Sequence, residues 1–254
     1  MKLSLIFVAV AFAEEVTDDV CYSDGQEVTC AVETKGVRSG AAAVAAGTDD
    51  ERSERRYNDL KNMAIKHWAK NGFKGKTNGF DERKYWAYGC HCMLLGDRPM
   101  SEMGQGKPVD GLDNKCKAYK DCQKCVRDNH GDDCIGENRK YTWKWATKTG
   151  GLASTDAAGS CEREIFECDA QFIADSFATK DEFSDSYHAF WSSRDGALAF
   201  DNRDPANCPS GGSVPVEHTC CGGHNAPWYW IGLNKNQCCA EGQSGRVASS
   251  EDSC

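Results

Sequence analysis

The sequence predicts a mainly α, disulfide-rich protein with a three-helix core, a small β-hairpin and an irregular cysteine-rich tail. Three stretches have apolar residues at helical spacing, and one alternates as a half-buried strand does. The 254 residues include 16 cysteines. An even number of cysteines in a chain with a secretory leader indicates disulfides rather than thiolate metal sites.

Residues 1–13 are typical of a secretory signal peptide. Lys2 precedes an apolar run that ends at Phe12, and Ala11 with Ala13 forms a small-x-small cleavage site. The run is shorter than the roughly 20 apolar residues of a membrane-spanning helix. We therefore expect a secreted, extracellular protein without a transmembrane anchor.

The charge balance limits the classes of partner. The chain has 30 Lys and Arg against 39 Asp and Glu, a net charge of −9, and no dense basic tract. Binding nucleic acid requires many phosphates to be neutralised, so a nucleic-acid partner is not expected. The acidic excess favours weak surface calcium or a mineral surface, or it is simply a solvated face. No cofactor motif is found.

Three stretches predict amphipathic helices. They cover residues 57–70, residues 108–129 and residues 161–178, and the first ends at Asn71-Gly72. The second and third have cysteines at inner positions, which predicts an antiparallel, cross-linked pair. His67 is expected on the surface of the first helix.

The remaining segments are assigned by composition. Residues 14–56 form an acidic segment and linker with no assigned fold, in which Cys21 and Cys30 can close a local loop. Residues 57–205 form one domain, including a hairpin whose aromatic face packs on it or anchors it to an interface. Residues 206–254 form a separate disulfide-held tail.

Three motifs in the central domain resemble those of secreted phospholipase A2. They are YGCHC at residues 88–92, PVDGLDNKCKAYKDC at residues 108–122, and Cys161 followed by Cys168-Asp169. The family's stretches read YGCxC with a glycine-rich calcium loop, PVDxLDxCCxxHDxC, and CxxxxxxCD. The resemblance covers about half the chain and implies a phospholipase A2-like core.

The resemblance also implies that the hydrolytic chemistry of the family is lost. That chemistry needs a His base, an Asp that orients it, and calcium to stabilise the oxyanion. The family's His falls on Tyr119 and its calcium-binding Asp on Lys120. With reference pKa values of about 10, a phenol is a poor base at neutral pH and an amine is protonated. Asp169 remains at the orienting position and is expected to accept a structural hydrogen bond from Tyr119.

The glycines of the calcium loop are replaced as well. The bulky residues Met93, Leu94 and Leu95 stand where backbone carbonyls would have to wrap an ion. No metal site is therefore predicted, and the Lys120 ammonium stands in place of the cation. The resemblance also implies an apolar channel. This channel either binds a small apolar molecule or is kept only as part of the hydrophobic core. Its candidate ligand-binding residues are Met93, Leu94, Leu95, Tyr119, Lys120 and Asp169.

The resemblance implies four disulfides, Cys92–Cys116, Cys122–Cys168, Cys134–Cys161 and Cys90–Cys208. A fifth family bridge is replaced by the charged residues Lys115 and Asp175, which we expect to pair. In the tail, two dicysteine pairs and an aromatic cluster are similar to the repeats of galaxin-type extracellular matrix proteins. Vicinal cysteines rarely bond to each other, so these four are expected to link different loops.

These observations predict a secreted, catalytically inactive phospholipase A2-like binding protein associated with extracellular matrix or biomineral. Two alternatives stay open. One is an enzyme with a different activity on a small apolar substrate in the inherited channel. The other is a venom-like or receptor-binding homologue that acts without hydrolysis.

Overall fold

Three α-helices form the core of the structure, a computed structural model that describes residues 20–23, 26–30, 49–73, 79–92, 104–192, 200–209, 216–241, 244–252 and 254. The helices are α1 (Asp49–Lys70), α2 (Gly111–His130) and α3 (Cys161–Ala178). Three short 3-10 helices lie at Glu82–Tyr85, Lys180–Glu182 and Asp185–Tyr187. Within the described residues, no helix has the length and hydrophobicity that a bilayer crossing requires.

The three predicted helices are present, and α3 has the predicted bounds. Helix α1 begins at Asp49 rather than residue 57, because its first two turns are mostly charged and have no apolar spacing to reveal them. Helix α2 begins at Gly111 rather than residue 108. The Asp110 carboxylate accepts the backbone N–H of Asp113 at 2.8 Å and so caps the helix.

Eight short strands form three small antiparallel sheets. The strands are β1 (Cys21–Ser23), β2 (Gln26–Val28), β3 (Trp143–Ala146), β4 (Gly151–Ser154), β5 (His218–Gly223), β6 (Ala226–Gly232), β7 (Asn236–Glu241) and β8 (Ser244–Ser249). The first sheet has the order β2-β1-β3-β4, and β5-β6 and β7-β8 are hairpins. The fold is therefore mixed α/β and disulfide-rich rather than mainly α.

The segment to which the sequence assigned no fold contributes the first two strands. Strand β1 pairs with β3 through Tyr22 and Trp143, whose rings stack with centroids 4.7 Å apart. The Cys21–Cys30 bridge closes the local loop that the sequence predicted. A hairpin of three-residue strands is too short to show an alternating pattern, and it is held here by the strand beside it.

The predicted irregular tail is wrong, because the tail consists of two hairpins. Both dicysteine pairs lie within strands, Cys220 and Cys221 in β5, Cys238 and Cys239 in β7. Their glycine-rich and cysteine-rich composition lacks the β-branched alternation that marks a strand. Disulfides and backbone pairing hold the strands instead.

The core lies between α2 and α3, with α1 and the first sheet packed against them. Its largest fully buried side chains include Leu60, Met63, Leu112, Trp143, Phe166, Phe172 and Ile173. The aromatic face of the β3 hairpin therefore packs on the domain. His67 is half-buried rather than on the surface, because its ring lies against Phe177 at 5.3 Å.

Eight disulfides pair all sixteen cysteines. Four are those that the resemblance implied, Cys90–Cys208, Cys92–Cys116, Cys122–Cys168 and Cys134–Cys161. The tail contributes Cys125–Cys220, Cys221–Cys238 and Cys239–Cys254. The first of these bonds the tail directly to α2, and no vicinal pair is bonded to itself.

Candidate functional site

Tyr119 and Asp169 meet at the interface of α2 and α3. The Tyr119 hydroxyl donates to Asp169 Oδ1 at 2.7 Å, the bond that we expected between them. The Tyr119 ring stacks on Phe172 with centroids 4.6 Å apart, which fixes its direction. Tyr119 and Asp169 are both buried.

A third residue, Tyr141, completes this group. Its hydroxyl donates to the other oxygen of Asp169 at 2.7 Å. Burial, followed by the negative charge of Asp169, raises the pKa of Tyr141 well above its usual value. The sequence had placed Tyr141 only on the aromatic face of a hairpin. Its distance of 28 residues from Asp169 along the chain left no local signal for the contact.

Lys120 is the fully buried neighbour of Tyr119 on α2, with 0% of its surface exposed. An ammonium group at this position repels a divalent cation, and it has no lone pair with which to bind one. The residues present therefore do not fit calcium. The other loop residues of the predicted site, Met93, Leu94 and Leu95, lie outside the described residues.

A buried carboxylate fixes the backbone before that loop. Asp113 accepts the N–H groups of Cys90 at 2.9 Å, His91 at 2.8 Å and Val109 at 3.0 Å. Gly89 has φ of 56°, and a Cβ there would lie 2.3 Å from the Asp113 side chain. The motif YGC thus needs its glycine for the close approach of this carboxylate.

The His91 ring makes a hydrogen bond within the protein. Its Nε2 lies 3.1 Å from the carbonyl oxygen of Gly106. Burial lowers the pKa of His91, although the neighbouring Asp113 carboxylate opposes this. The described residues contain no group of three or more His, Cys, Asp or Glu side chains arranged to hold a metal.

The tail packs over α2 and α3 and contributes to the surroundings of this site. Glu164 on α3 is buried and accepts the Trp228 indole N–H at 2.7 Å and the His224 backbone N–H at 2.8 Å. It also pairs with the His130 ring at 2.8 Å. The sequence near Glu164 gave no sign of these contacts, since its tail partners are 60 or more residues away.

Two cavities lie where the tail meets the helices. The smaller, about 30 Å³, lies beside Tyr119 and Phe172 and is closed by Trp228. It has room for water and not for a ligand. The larger, about 620 Å³, lies between α2 and both tail hairpins, and its lining includes Ala118, Asp121, Pro227, Trp230, Ile231 and Val247.

Part of the chain is similar in sequence to known proteins. The "Basic phospholipase A2 homolog MjTX-I" of Bothrops moojeni is 34% identical over 85 residues, which is 34% of this chain and 50% of that protein. The "Basic phospholipase A2 homolog LmutTX" of Lachesis muta muta is also 34% identical over 85 residues, or 58% of its length. The chain is distantly similar to secreted phospholipase A2.

The similarity is partial. The "Group IID secretory phospholipase A2" of Mus musculus is 28% identical over 110 residues, covering 43% of this chain and 67% of the mouse protein. The chain spans about half the length of the snake relatives that it matches. No family model matches the chain. Both an enzyme and proteins named as homologues of the enzyme are therefore among the relatives.

Proposed function

We propose that the chain is a secreted phospholipase A2-like protein that binds a ligand and does not hydrolyse phospholipid. One observation carries the proposal. At the position of the general base, the Tyr119 hydroxyl donates its hydrogen to Asp169 at 2.7 Å. A general base must instead accept a proton from water.

The surroundings of Tyr119 support this interpretation. Loss of its proton would place a buried phenolate against the Asp169 carboxylate, and two like charges at that distance are strongly unfavourable. Asp169 already accepts a second phenol, Tyr141. The two phenols are therefore hydrogen-bond donors to one buried carboxylate, and the group stabilises the contact between α2 and α3.

Lys120 supports the loss of hydrolysis independently. The family's reaction stabilises its oxyanion with calcium, and a buried ammonium at the cation's position does not fit that ion. We derive no step that uses a metal. Hydrolysis at this site would need another general base in place of the family's histidine and another electrophile in place of calcium.

Secretion and charge complete the proposal. The leader-like first 13 residues and the eight disulfides fit an extracellular protein. The names of two snake relatives describe them as basic, whereas this chain has a net charge of −9. We therefore do not infer for this chain a partner that binds a protein through its net positive charge.

The test is calcium-dependent hydrolysis of phospholipid vesicles by protein secreted with its bridges intact. A secreted phospholipase A2 serves as positive control. We expect no turnover above the rate without protein. Turnover by the wild-type chain that Tyr119→Phe abolishes would overturn the proposal.

Association with extracellular matrix or mineral stays a prediction that rests on the acidic excess and the galaxin-like tail. Adsorption to calcium carbonate and calcium phosphate crystals measures it. Retention of the protein on the crystals that is lost at high salt, and that weakens when surface acidic residues are replaced, would support this role. Equal retention of a neutral control protein would count against it.

A further inference from the structure

The 620 Å³ cavity is a cleft between α2 and the two tail hairpins, here called the α2–tail cleft. Its volume falls in the range of small-molecule sites in proteins. Its walls come from α2, β6 and β8. The Cys125–Cys220 disulfide bonds α2 to β5, and Cys221–Cys238 bonds β5 to β7, so covalent links hold the helix and both hairpins together.

Most of the side chains that line the cleft are apolar. They include Ala118, Ala226, Pro227, Trp230, Ile231 and Val247. The ring of Trp230 is held in place, because the His218 ring stacks on it with centroids 4.3 Å apart. Ala118, Tyr229 and Arg246 line the cleft and are exposed, so the cleft opens to solvent beside them. A ligand with a mainly apolar body can therefore enter and bury its surface against preformed walls.

Among the described residues, two charged ones line the cleft, and they differ in what they offer a ligand. Asp121 is 7% exposed, its Oδ2 accepts from Lys117 Nζ at 2.6 Å, and its Oδ1 is closed to solvent. Its charge is thus paired within the protein. Arg246 is exposed. A guanidinium has five N–H donors in a planar fork, so it can bind an oxyanion with two of them alongside contacts within the protein.

The charges beside the cleft are positive overall. Lys117 Nζ and Lys124 Nζ lie 5.8 and 5.1 Å from the centre of the Trp230 ring. Each of these lysines pairs with the carboxylate four residues further along α2. With Arg246, the group contains three cations and two carboxylates, a net charge of +1. The chain as a whole has a net charge of −9, but an anion at this cleft meets a local excess of positive charge.

We propose that the α2–tail cleft binds a small organic monoanion, with its apolar body between α2 and the hairpins and its carboxylate group on Arg246. One negative charge balances the local excess, whereas a cationic ligand would add to it. This inference rests on the proposed function only in taking binding as the role of the chain. It places the ligand away from Tyr119 and Asp169, because the cavity of about 30 Å³ beside Tyr119 is too small for it.

Three probes that share one apolar body test the proposal by isothermal titration calorimetry on the intact secreted protein. They are the anion 2-naphthoate, its neutral amide 2-naphthamide, and the cation 2-naphthylmethylammonium. We expect saturable binding of 2-naphthoate at one site. The amide should bind on the order of tenfold more weakly, because it lacks the charge-assisted hydrogen bonds to Arg246, and the cation should bind more weakly still.

Variants separate the contact with the anion from the cavity. Arg246→Gln should remove the preference for 2-naphthoate over the amide. Lys235→Gln is the matched control, because it removes one positive charge from the tail at an exposed residue that does not line the cleft. It should bind as the wild type does. Ala118→Trp places a large side chain in the cleft from an exposed position on α2 and should abolish binding of all three probes, with circular dichroism confirming the fold.

The possible results are distinct. Equal affinity of the wild type for 2-naphthoate and the amide, or equal losses in the Arg246 and Lys235 variants, would overturn the role of Arg246. Binding that survives Ala118→Trp would overturn the location, and absence of binding by 2-naphthoate would overturn the whole inference. The vesicle assay is a separate measurement, so phospholipid hydrolysis by a protein that binds 2-naphthoate as expected would refute the proposed function and leave the cleft standing.

Discussion

The carboxylate of Asp169 joins two phenols, and the hydroxyl of one of them, Tyr119, lies 2.7 Å from its Oδ1. The bond crosses from α2 to α3 over 50 residues of sequence. It attaches the two core helices to each other at the position where the resemblance places a general base.

Tyr119→Phe removes the hydroxyl and leaves Asp169 Oδ1 buried without that donor. We expect the free energy of unfolding to fall by about 1–3 kcal/mol, the cost of an unsatisfied buried acceptor. Urea denaturation followed by circular dichroism measures it. Tyr229→Phe is the control, because that residue is 42% exposed, and its effect should stay within about 0.5 kcal/mol. Equal effects of the two substitutions would contradict a structural role for the Tyr119 hydroxyl.

Glu164→Ala should loosen the tail. The substitution removes the acceptor for Trp228 and for the His224 backbone, two polar contacts of α3 with the β5-β6 hairpin, and the partner of His130 at the end of α2. We expect faster hydrogen exchange of the β6 amides and little change in α2 before its last turn. Glu162→Ala, in the same first turn of α3, should leave β6 protected. Unchanged exchange in the Glu164 variant would show that Glu164 is not needed to hold the β5-β6 hairpin.

Replacing Cys125 and Cys220 with serines removes the disulfide between α2 and the tail. We expect a loss of about 2–4 kcal/mol in the free energy of unfolding, typical of a long-range disulfide. The matched control is the Cys239–Cys254 pair, which joins β7 to the C-terminus. Equal losses from the two pairs of substitutions would contradict a larger contribution of Cys125–Cys220, which closes 95 residues against 15 for the control.

His188 predicts a pH dependence of stability. Its Nε2–H donates to the Arg83 carbonyl at 2.7 Å, and its Nδ1 accepts the N–H groups of Phe190 and Trp191, both at 3.2 Å. Burial lowers the pKa of His188, and it outweighs the opposing effect of the Arg83 carbonyl. The neutral ring is thus favoured in the folded protein, and its contribution is complete above the unfolded value of about 6.5.

As the pH falls below that value, the unfolded protein takes up the proton first and the contribution of His188 is lost. His188→Gln should therefore cost most stability near pH 7.5 and less near pH 5. Comparison of the two proteins at each pH cancels the other histidines and the carboxyls with raised pKa values. A difference that grows as the pH falls would mean that the charged ring is the favoured form.

Local patterns and cysteine identities could be predicted from the sequence. The bounds of α3 follow from its apolar spacing and the acidic residues at its start. The four family-like disulfides followed from motif positions, and the pair Lys115 and Asp175, 3.2 Å apart, took the place that the resemblance gave it. The helix bounds depend on spacing within one segment. The disulfides and the ion pair depend on two motifs that the fold brings side by side.

The features that the sequence did not predict share a physical cause, because they depend on contacts between distant parts of the chain. His67 was placed on a surface because its neighbours in the chain left that face open, and it is half-buried by Phe177, more than a hundred residues away. The tail hairpins gave no strand signal, because disulfides and backbone pairing replace the apolar alternation that usually stabilises a strand.

The sequence by itself predicted the three helices and the four family-like bridges, and through the resemblance it placed Tyr119 and Lys120 where the family has a histidine and an aspartate. The tertiary structure alone decided what those side chains and the carboxylates around them contact. Hydrogen bonds and cavities depend on the approach of segments that are far apart in the chain. Their energies act between neighbours in space, which spacing along the sequence does not specify.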